Sequence, residues 1–370
     1  MKNLWRAIKT SKVALALAAP LFAAVFSLTV SSLAVWATHK SPWQAFSLMW
    51  EYGTRSASLM AAANLATSYY IAAIAIALTF RAGLFNIGVE GQLRLGALFA
   101  GYFGSKFSLP PVFHVIAVML IAMLVGGSWA AIAAYMKVKR GVSEVISTIM
   151  LNAMAGGLSA YLLSKHFAMK EGTGYNLETK PLPKSAQFPN LMPVLRKFGI
   201  HDQPGAGVYG MLILSICMGF AFWFLVNRTR FGFELRASGL NPMAARVSGV
   251  NAKRMTVIAL VGSGAIAGLA GLPTLMGESY SYNLGFRGGI GFSAIAIALL
   301  GRNSALGMGI SAILFGFLEV ASQTLDLINI APETYVIMQG SILLSAVVAY
   351  EVVRRYQLTL HSEALAKVGA

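Results

Sequence analysis

RAGLFNIGVEGQLRLGALFAGYFG, residues 81–104, decides the fold. It carries Gly83, Gly88, Gly91, Gly96, Gly101 and Gly104, and it sets Asn86, Glu90, Gln92 and Arg94 among apolar neighbours. A lipid-facing helix would not tolerate this pattern, because each ionised side chain at the centre of a bilayer costs roughly 2.5–3.5 kcal/mol on insertion scales. The segment is therefore expected at membrane depth but facing protein or a water-filled cavity. Glu90 and Arg94 are spaced i,i+4 with the acid first, so they can pair on one helix face. Two readings stay open: the pair only neutralises itself while the glycines allow close helix packing, or it lies in or beside a solute pathway.

The membrane setting follows from the rest of the chain. Of 370 residues, 57% are hydrophobic and 11% charged, where a soluble domain carries about 25% charged. The net charge of +16 comes from 29 Lys and Arg against 13 Asp and Glu. Such a charge invites a nucleic-acid reading, yet the bases sit between apolar runs, as membrane flanks do, so no nucleic-acid partner is expected. The single Cys217 excludes a disulfide framework and a Cys-based metal quartet; it reads as a buried small apolar residue.

About 20 apolar residues cover roughly 30 Å of hydrocarbon, and spans are expected near 13–36, 58–80, 112–136, 143–164, 207–226, 255–276 and 333–352. Residues 83–104, 292–300 and 305–324 read as three interrupted or short spans. The expectation is an all-α, multi-pass membrane protein of about ten transmembrane helices forming one transmembrane domain over 1–370. Threading ten spans from an inner N-terminus puts 18 Lys and Arg inside and ten outside, leaving Arg94 within a span. Both termini then face the cytoplasm.

The second half repeats the opening pattern. YNLGFRGGIGFSAIAIALLGRNSALGMG, residues 282–309, surrounds a nine-residue apolar core with glycines. Nine helical residues rise only about 13.5 Å, under half a bilayer. Paired short or Gly-interrupted segments in corresponding places point to discontinuous helices lining a central site. Counting spans makes the halves, 58–164 and 255–352, an inverted repeat. Gly264 and Gly268 have GxxxG spacing and mark a close-packing face. Glu319, Asp326 and Glu333 fall near span ends, where solvation is cheap, and Glu144 reads as a first-turn acid complementing a helix dipole.

Two connections are long. Residues 165–206 form an outer, periplasmic loop with Pro181, Pro183, Pro189, Pro193 and Pro204, read either as a solvated linker or as a docking site. The inner, cytoplasmic loop 227–254, NRTRFGFELRASGLNPMAARVSGVNAKR, has the composition of two short helices. The chain contains no GxxxxGK[ST], HExxH, CxxC or GxSxG, so nucleotide hydrolysis and the corresponding enzyme chemistries have no motif here. Five scattered histidines give a metal site little support.

FNIGVEGQLRLGA (85–97), GFELRASGLNPMAARVSGVNAKRM (232–255), ALVGSGAIAGLAG (259–271) and GFSAIAIALLGR (291–302) together resemble the permease subunits of bacterial ABC importers, nearest to the nucleoside and simple-sugar branch. The resemblance implies no enzyme activity in this chain and no cofactor on it, with ATP and Mg on partner ATPase subunits. It also implies a second permease subunit, in that branch often a paralogue, an extracytoplasmic solute-binding protein, and location in the bacterial inner membrane. By the resemblance, the ATPase-coupling element falls on Glu234, Arg236, Gly239, Asn241, Ala244, Ala245, Arg246 and Gly249. For the solute pathway the reading selects Phe85, Asn86, Glu90, Gln92, Phe292 and Ser293, since aromatic faces stack on bases while amides and hydroxyls satisfy sugar hydroxyls. A self-contained, ion-coupled secondary transporter is the alternative, because an inverted repeat with Glu90 at depth also suits ion coupling.

Overall fold

The computed structural model describes residues 12–169, 177–198 and 207–368. Regular structure among them is helical apart from isolated β-bridges. The principal helices are α1 (Lys12–Ala37), α2 (Pro42–Gly53), α3 (Ser56–Arg81), α4 (Val89–Gly104), α5 (Pro111–Arg140), α6 (Glu144–Leu162) and α7 (Met211–Arg228). They continue as α8 (Arg230–Leu240), α9 (Pro242–Val247), α10 (Ala252–Leu269), α11 (Ile290–Leu300), α12 (Ala305–Ser322) and α13 (Thr334–Val368). Among the described residues, six helical stretches are long and apolar enough to cross a membrane: Ser56–Arg81, Pro111–Arg140, Glu144–Phe167, Met211–Arg228, Ala252–Ser279 and Ala305–Ile328. Val25–Ala37, Ile290–Leu300 and Thr334–Ala349 are shorter apolar helices.

Helix ends follow local chemistry. Pro111 opens α5 at a position whose N–H has no helical partner. At the far end, Lys137, Lys139 and Arg140 meet the negative end of the helix dipole, and Gly141 closes it at φ +70°. Glu144, in the first turn of α6, takes a 2.6 Å ion pair from Lys137 across this turn. This is the helix-start acid that its position predicts.

The chain forms two compact units, Arg55–Phe317 and a second made of Met1–Thr54 with Leu318–Ala370. In the latter, α1 runs beside α13, with Ser27 and Ser341 hydroxyls 3.0 Å apart. Helix α2 buries Ala45, Met49 and Gly53 and exposes Trp43 and Trp50.

In the larger unit α3 is the central staff: 78% of its apolar window is buried, against 28% for α5, α6 and α7. Its neighbours are α10, α11 and α7. The GxxxG face of α10 meets α5. A Cβ at Gly264 would run into Gly126 and Ala130, and one at Gly268 into the Ala122 carbonyl, so two backbones touch where side chains would hold them apart.

Between α3 and α4 the helix is broken. The chain turns through Gly83 at φ +67° and resumes helix at Val89. An unpaired backbone polar group at membrane depth costs several kcal/mol, and side chains of α6 answer the exposed ones. Asn152 donates to the Ile87 carbonyl (2.6 Å) and accepts from Gly91 N–H (2.8 Å), while Thr148 accepts from Ile87 N–H at 3.3 Å. The second short element, α11, has 11 residues and rises about 16.5 Å, roughly half a bilayer.

Three expectations are corrected. Residues 305–322 form one continuous helix rather than an interrupted span, because Gly307 and Gly316 admit neighbouring backbone at Gly301 and Ala62 without ending the helix. Cys217 is exposed on α7, not buried. Glu319 is 8% exposed, and so is buried rather than solvated. The Pro-rich segment is bonded down where it is described. Thr179, Leu182 and Phe188 N–H groups donate to the carbonyls of Tyr282, Tyr280 and Met276 at 2.7–3.0 Å, and Ser185 meets buried His114 at 2.8 Å. Proline-rich extended chain that donates its remaining N–H groups to a neighbour behaves as a strap rather than a free linker.

Candidate functional site

The two short helices meet at Glu90. Its Oε1 accepts from Gly289 N–H at 3.0 Å and its Oε2 from Gly291 N–H at 2.8 Å. The first N–H groups of any helix lack internal partners, and here the second residue of α4 supplies a carboxylate to those of α11. An anion in that position is stabilising by about 0.3–1 kcal/mol, and up to ~2 kcal/mol where partly buried. Gly291 makes the approach possible, since a Cβ there would stand 2.5 Å from Glu90 N. Arg94 Nη2 lies 3.3 Å from Glu90 Oε1, which is the i,i+4 pair the spacing predicts. The Tyr282 ring stacks on Phe286 with centroids 4.8 Å apart.

Asn86 and Gln92 sit behind this junction, each 1% exposed. The Asn86 amide donates to Gln92 Oε1 and Ser263 Oγ, both at 2.9 Å, and its carbonyl accepts from Gly88 N–H at 3.0 Å. The Ser263 hydroxyl donates to the Ala75 carbonyl at 2.6 Å. The two amides thus knit the break in α3–α4 to α10. Phe85 and Phe292 have open faces, at 48% and 54% exposure, and Ser293 is half-buried. Of the six pathway residues read from the sequence, Asn86, Glu90 and Gln92 have their hydrogen-bonding groups engaged within the protein, and Phe85 and Phe292 present surface.

The segment 227–254 folds as the two short helices expected. Thr229 caps α8 through Gly232 N–H, and Asn241 caps α9 by accepting from Met243 and Ala244 N–H at 3.0 and 3.1 Å. Glu234 accepts from Arg230 Nε at 2.8 Å, and Arg236 donates to the Val226 carbonyl at the end of α7. Ala245 is buried with Val250 and Met255, and Ala244, Arg246 and Gly249 are exposed. Gly239 lies against the break: a Cβ there would stand 2.6 Å from the Ala82 carbonyl carbon and 2.7 Å from Gly83 N.

Sequence reasoning missed the exposed apolar side chains on this segment. Leu240, Met243 and Val247 are 88%, 72% and 91% exposed. Leu240 ends α8 and Met243 and Val247 follow on α9 beyond the Asn241 cap, so these side chains share no single helical periodicity that the sequence could display. Among the described residues no cluster of three or more His, Cys, Asp or Glu is assembled.

A multi-pass helical protein in which an interrupted helix and a half-length helix meet at their N-terminal ends, with backbone gaps filled by side chains, is built like the membrane part of a transporter. The chain belongs to the family described as branched-chain amino acid transport system / permease component, whose pattern matches residues 58–347. It is 34% identical over 271 residues to a guanosine ABC transporter permease protein of Bacillus subtilis, covering 73% of this chain and 75% of that one. A glucose ABC transporter permease protein of Haloferax volcanii is 31% identical over 352 residues, covering 93% and 90%. A nucleoside ABC transporter permease protein of Lactococcus lactis is 31% identical over 282 residues, covering 74% of each. No solved structure matches.

Proposed function

We propose that this chain is the membrane-spanning permease of an ABC importer that carries nucleosides or simple sugars across the bacterial inner membrane. Separate ATPase subunits, holding ATP and Mg, dock on α8 and α9. A second permease subunit, read as a paralogue, completes the pathway, and an extracytoplasmic solute-binding protein delivers the cargo. The ten-span count, with both termini cytoplasmic, belongs to this reading. The relatives named for guanosine, nucleosides and glucose support the solute class.

One observation carries the mechanism: the exposed Leu240 at the end of α8 adjoins the Gly239–Gly83 contact, and the exposed Met243 and Val247 follow on α9. Exposed apolar side chains of this kind fit a groove in a partner. Movement of the seated segment would press on the backbone break that leads into α4, and Glu90 would carry the displacement to α11. Packed helices switch between discrete arrangements rather than bending continuously, so nucleotide-driven closure of the partner becomes a rearrangement of α4 and α11.

The test is co-purification of the ATPase subunits with this chain carrying Leu240→Asp and Val247→Asp. Loss of the ATPases with this chain still folded is the expected result. Full retention with normal uptake would remove these residues from the docking surface.

A further inference from the structure

Arg94 stands apart from the other polar groups at the helix junction. Its side chain is 26% exposed, whereas that of its partner Glu90 is 9% exposed. A guanidinium has five N–H donors in a rigid fork. That of Arg94 meets Glu90 at 3.3 Å. The opening beside it is made by a missing side chain. Gly288 is exposed, and a Cβ on it would stand 2.9 Å from Arg94 Nη2. Gly289 is exposed as well, and Phe292, one turn into α11, offers an open aromatic face.

We infer that Arg94 is a specificity-determining residue of the solute pathway, presenting its N–H donors through the gap at Gly288 to acceptor oxygens of a passing neutral solute. This rests on the transport reading above and deepens it. The charge balance argues for a neutral cargo: Glu90 already neutralises Arg94, and the same carboxylate occupies the N–H groups of α11 that would otherwise attract an anion. What the site offers is directional donation without net charge, suited to the carbonyl and hydroxyl oxygens of a nucleoside or sugar. Because Glu90 holds the fork before the solute arrives, little side-chain entropy is lost on contact, and one or two hydrogen bonds hold a solute weakly enough to release it.

The experiment uses the whole transporter, this chain with its partner permease, ATPases and solute-loaded binding protein, in proteoliposomes, with guanosine and glucose as probes. Arg94→Lys keeps the positive charge beside Glu90 but loses the fork. It is expected to co-purify with its partners yet move at least about tenfold less solute per ATP hydrolysed, the loss of a hydrogen bond to a charged donor, and to change the guanosine-to-glucose ratio. Gly288→Ala, which leaves every charge in place, is expected to lower uptake in the same direction by closing the gap. Wild-type uptake per ATP and an unchanged ratio in Arg94→Lys would show that Arg94 acts only as the counter-ion of Glu90, and would overturn the inference. If Arg94→Lys fails to assemble, Gly288→Ala decides: normal uptake and an unchanged ratio overturn the inference, and reduced uptake with a changed ratio supports it. A wild-type assembly that moves neither probe would instead overturn the transport reading, and this inference with it.

Discussion

Gly239 on α8 and Gly83 at the break after α3 pack backbone against backbone, each occupying the space where the other's side chain would be. The contact needs glycine on both sides. Gly83 sits at φ +67°, which an L side chain adopts at a cost, and a Cβ on it would stand 2.8 Å from the Gly239 carbonyl oxygen. It is the place where the inner-face helices touch the interrupted membrane element. Gly239→Val is expected to push α8 away from the break. Solute moved per ATP hydrolysed should fall at least about tenfold, a rearrangement cost near 1.4 kcal/mol, while ATPase hydrolysis persists. Side-by-side assays of hydrolysis and uptake check it; parallel loss of both would point to misfolding.

Glu90 ties α4 to α11 through both carboxylate oxygens. Glu90→Gln keeps the shape but removes the charge, so Arg94 loses its ion-pair partner and one N–H of α11 loses its acceptor. Removing one member of a charge-assisted contact costs on the order of 2 kcal/mol. Thermal unfolding in detergent should show a lower midpoint, and uptake should fall while the ATPases still co-purify. An unchanged midpoint would mean that the junction is not held by this carboxylate.

The α5–α10 crossing is predicted to be intolerant of a single methyl group. Gly268→Ala would overlap the Ala122 carbonyl, and overpacking of this kind costs about 1–3 kcal/mol. Ala substitution at Gly156, whose added Cβ would meet nothing within 4 Å, serves as the control. Comparing the two midpoints measures the crossing directly.

The break in α3–α4 depends on Asn152, which bonds Ile87 and Gly91 at once. Asn152→Leu is nearly isosteric yet leaves a carbonyl and an N–H without that partner, a penalty of about 1–3 kcal/mol for each buried group. Reduced expression of folded chain is expected. Asn152→Asp should recover only the bond from Gly91 N–H, since an ionised carboxylate has no donor for the Ile87 carbonyl.

The helical class and most of the long apolar helices were legible in the sequence, because hydropathy over about 20 residues is set by the bilayer itself. The Glu90–Arg94 pair and the close-packing face at Gly264 and Gly268 were legible for a similar reason: both are local spacings on one helix. What was not legible lies far apart in sequence. Glu90 finds its main partners 199 and 201 residues away, and nothing near Glu90 announces them. Asn86 and Gln92 read as solute-facing because polar groups at membrane depth must be satisfied, but the sequence does not say by what; the protein's own backbone and Ser263 satisfy them. Residues 305–324 looked interrupted because glycine was counted as a break, whereas Gly307 and Gly316 serve close approach. Glu234 and Arg236 entered through the resemblance; Glu234 pairs with Arg230 along α8 and Arg236 reaches the Val226 carbonyl on α7, while the exposed apolar residues beyond them carry no such local signal.

The most direct test of the account is solute uptake by vesicles containing this chain alone, compared with vesicles containing the chain, its partner permease, the ATPases and a loaded binding protein. The account predicts no accumulation of guanosine or glucose by the single chain under any ion gradient, and ATP-dependent accumulation by the full assembly. Gradient-driven accumulation by this polypeptide alone would contradict it.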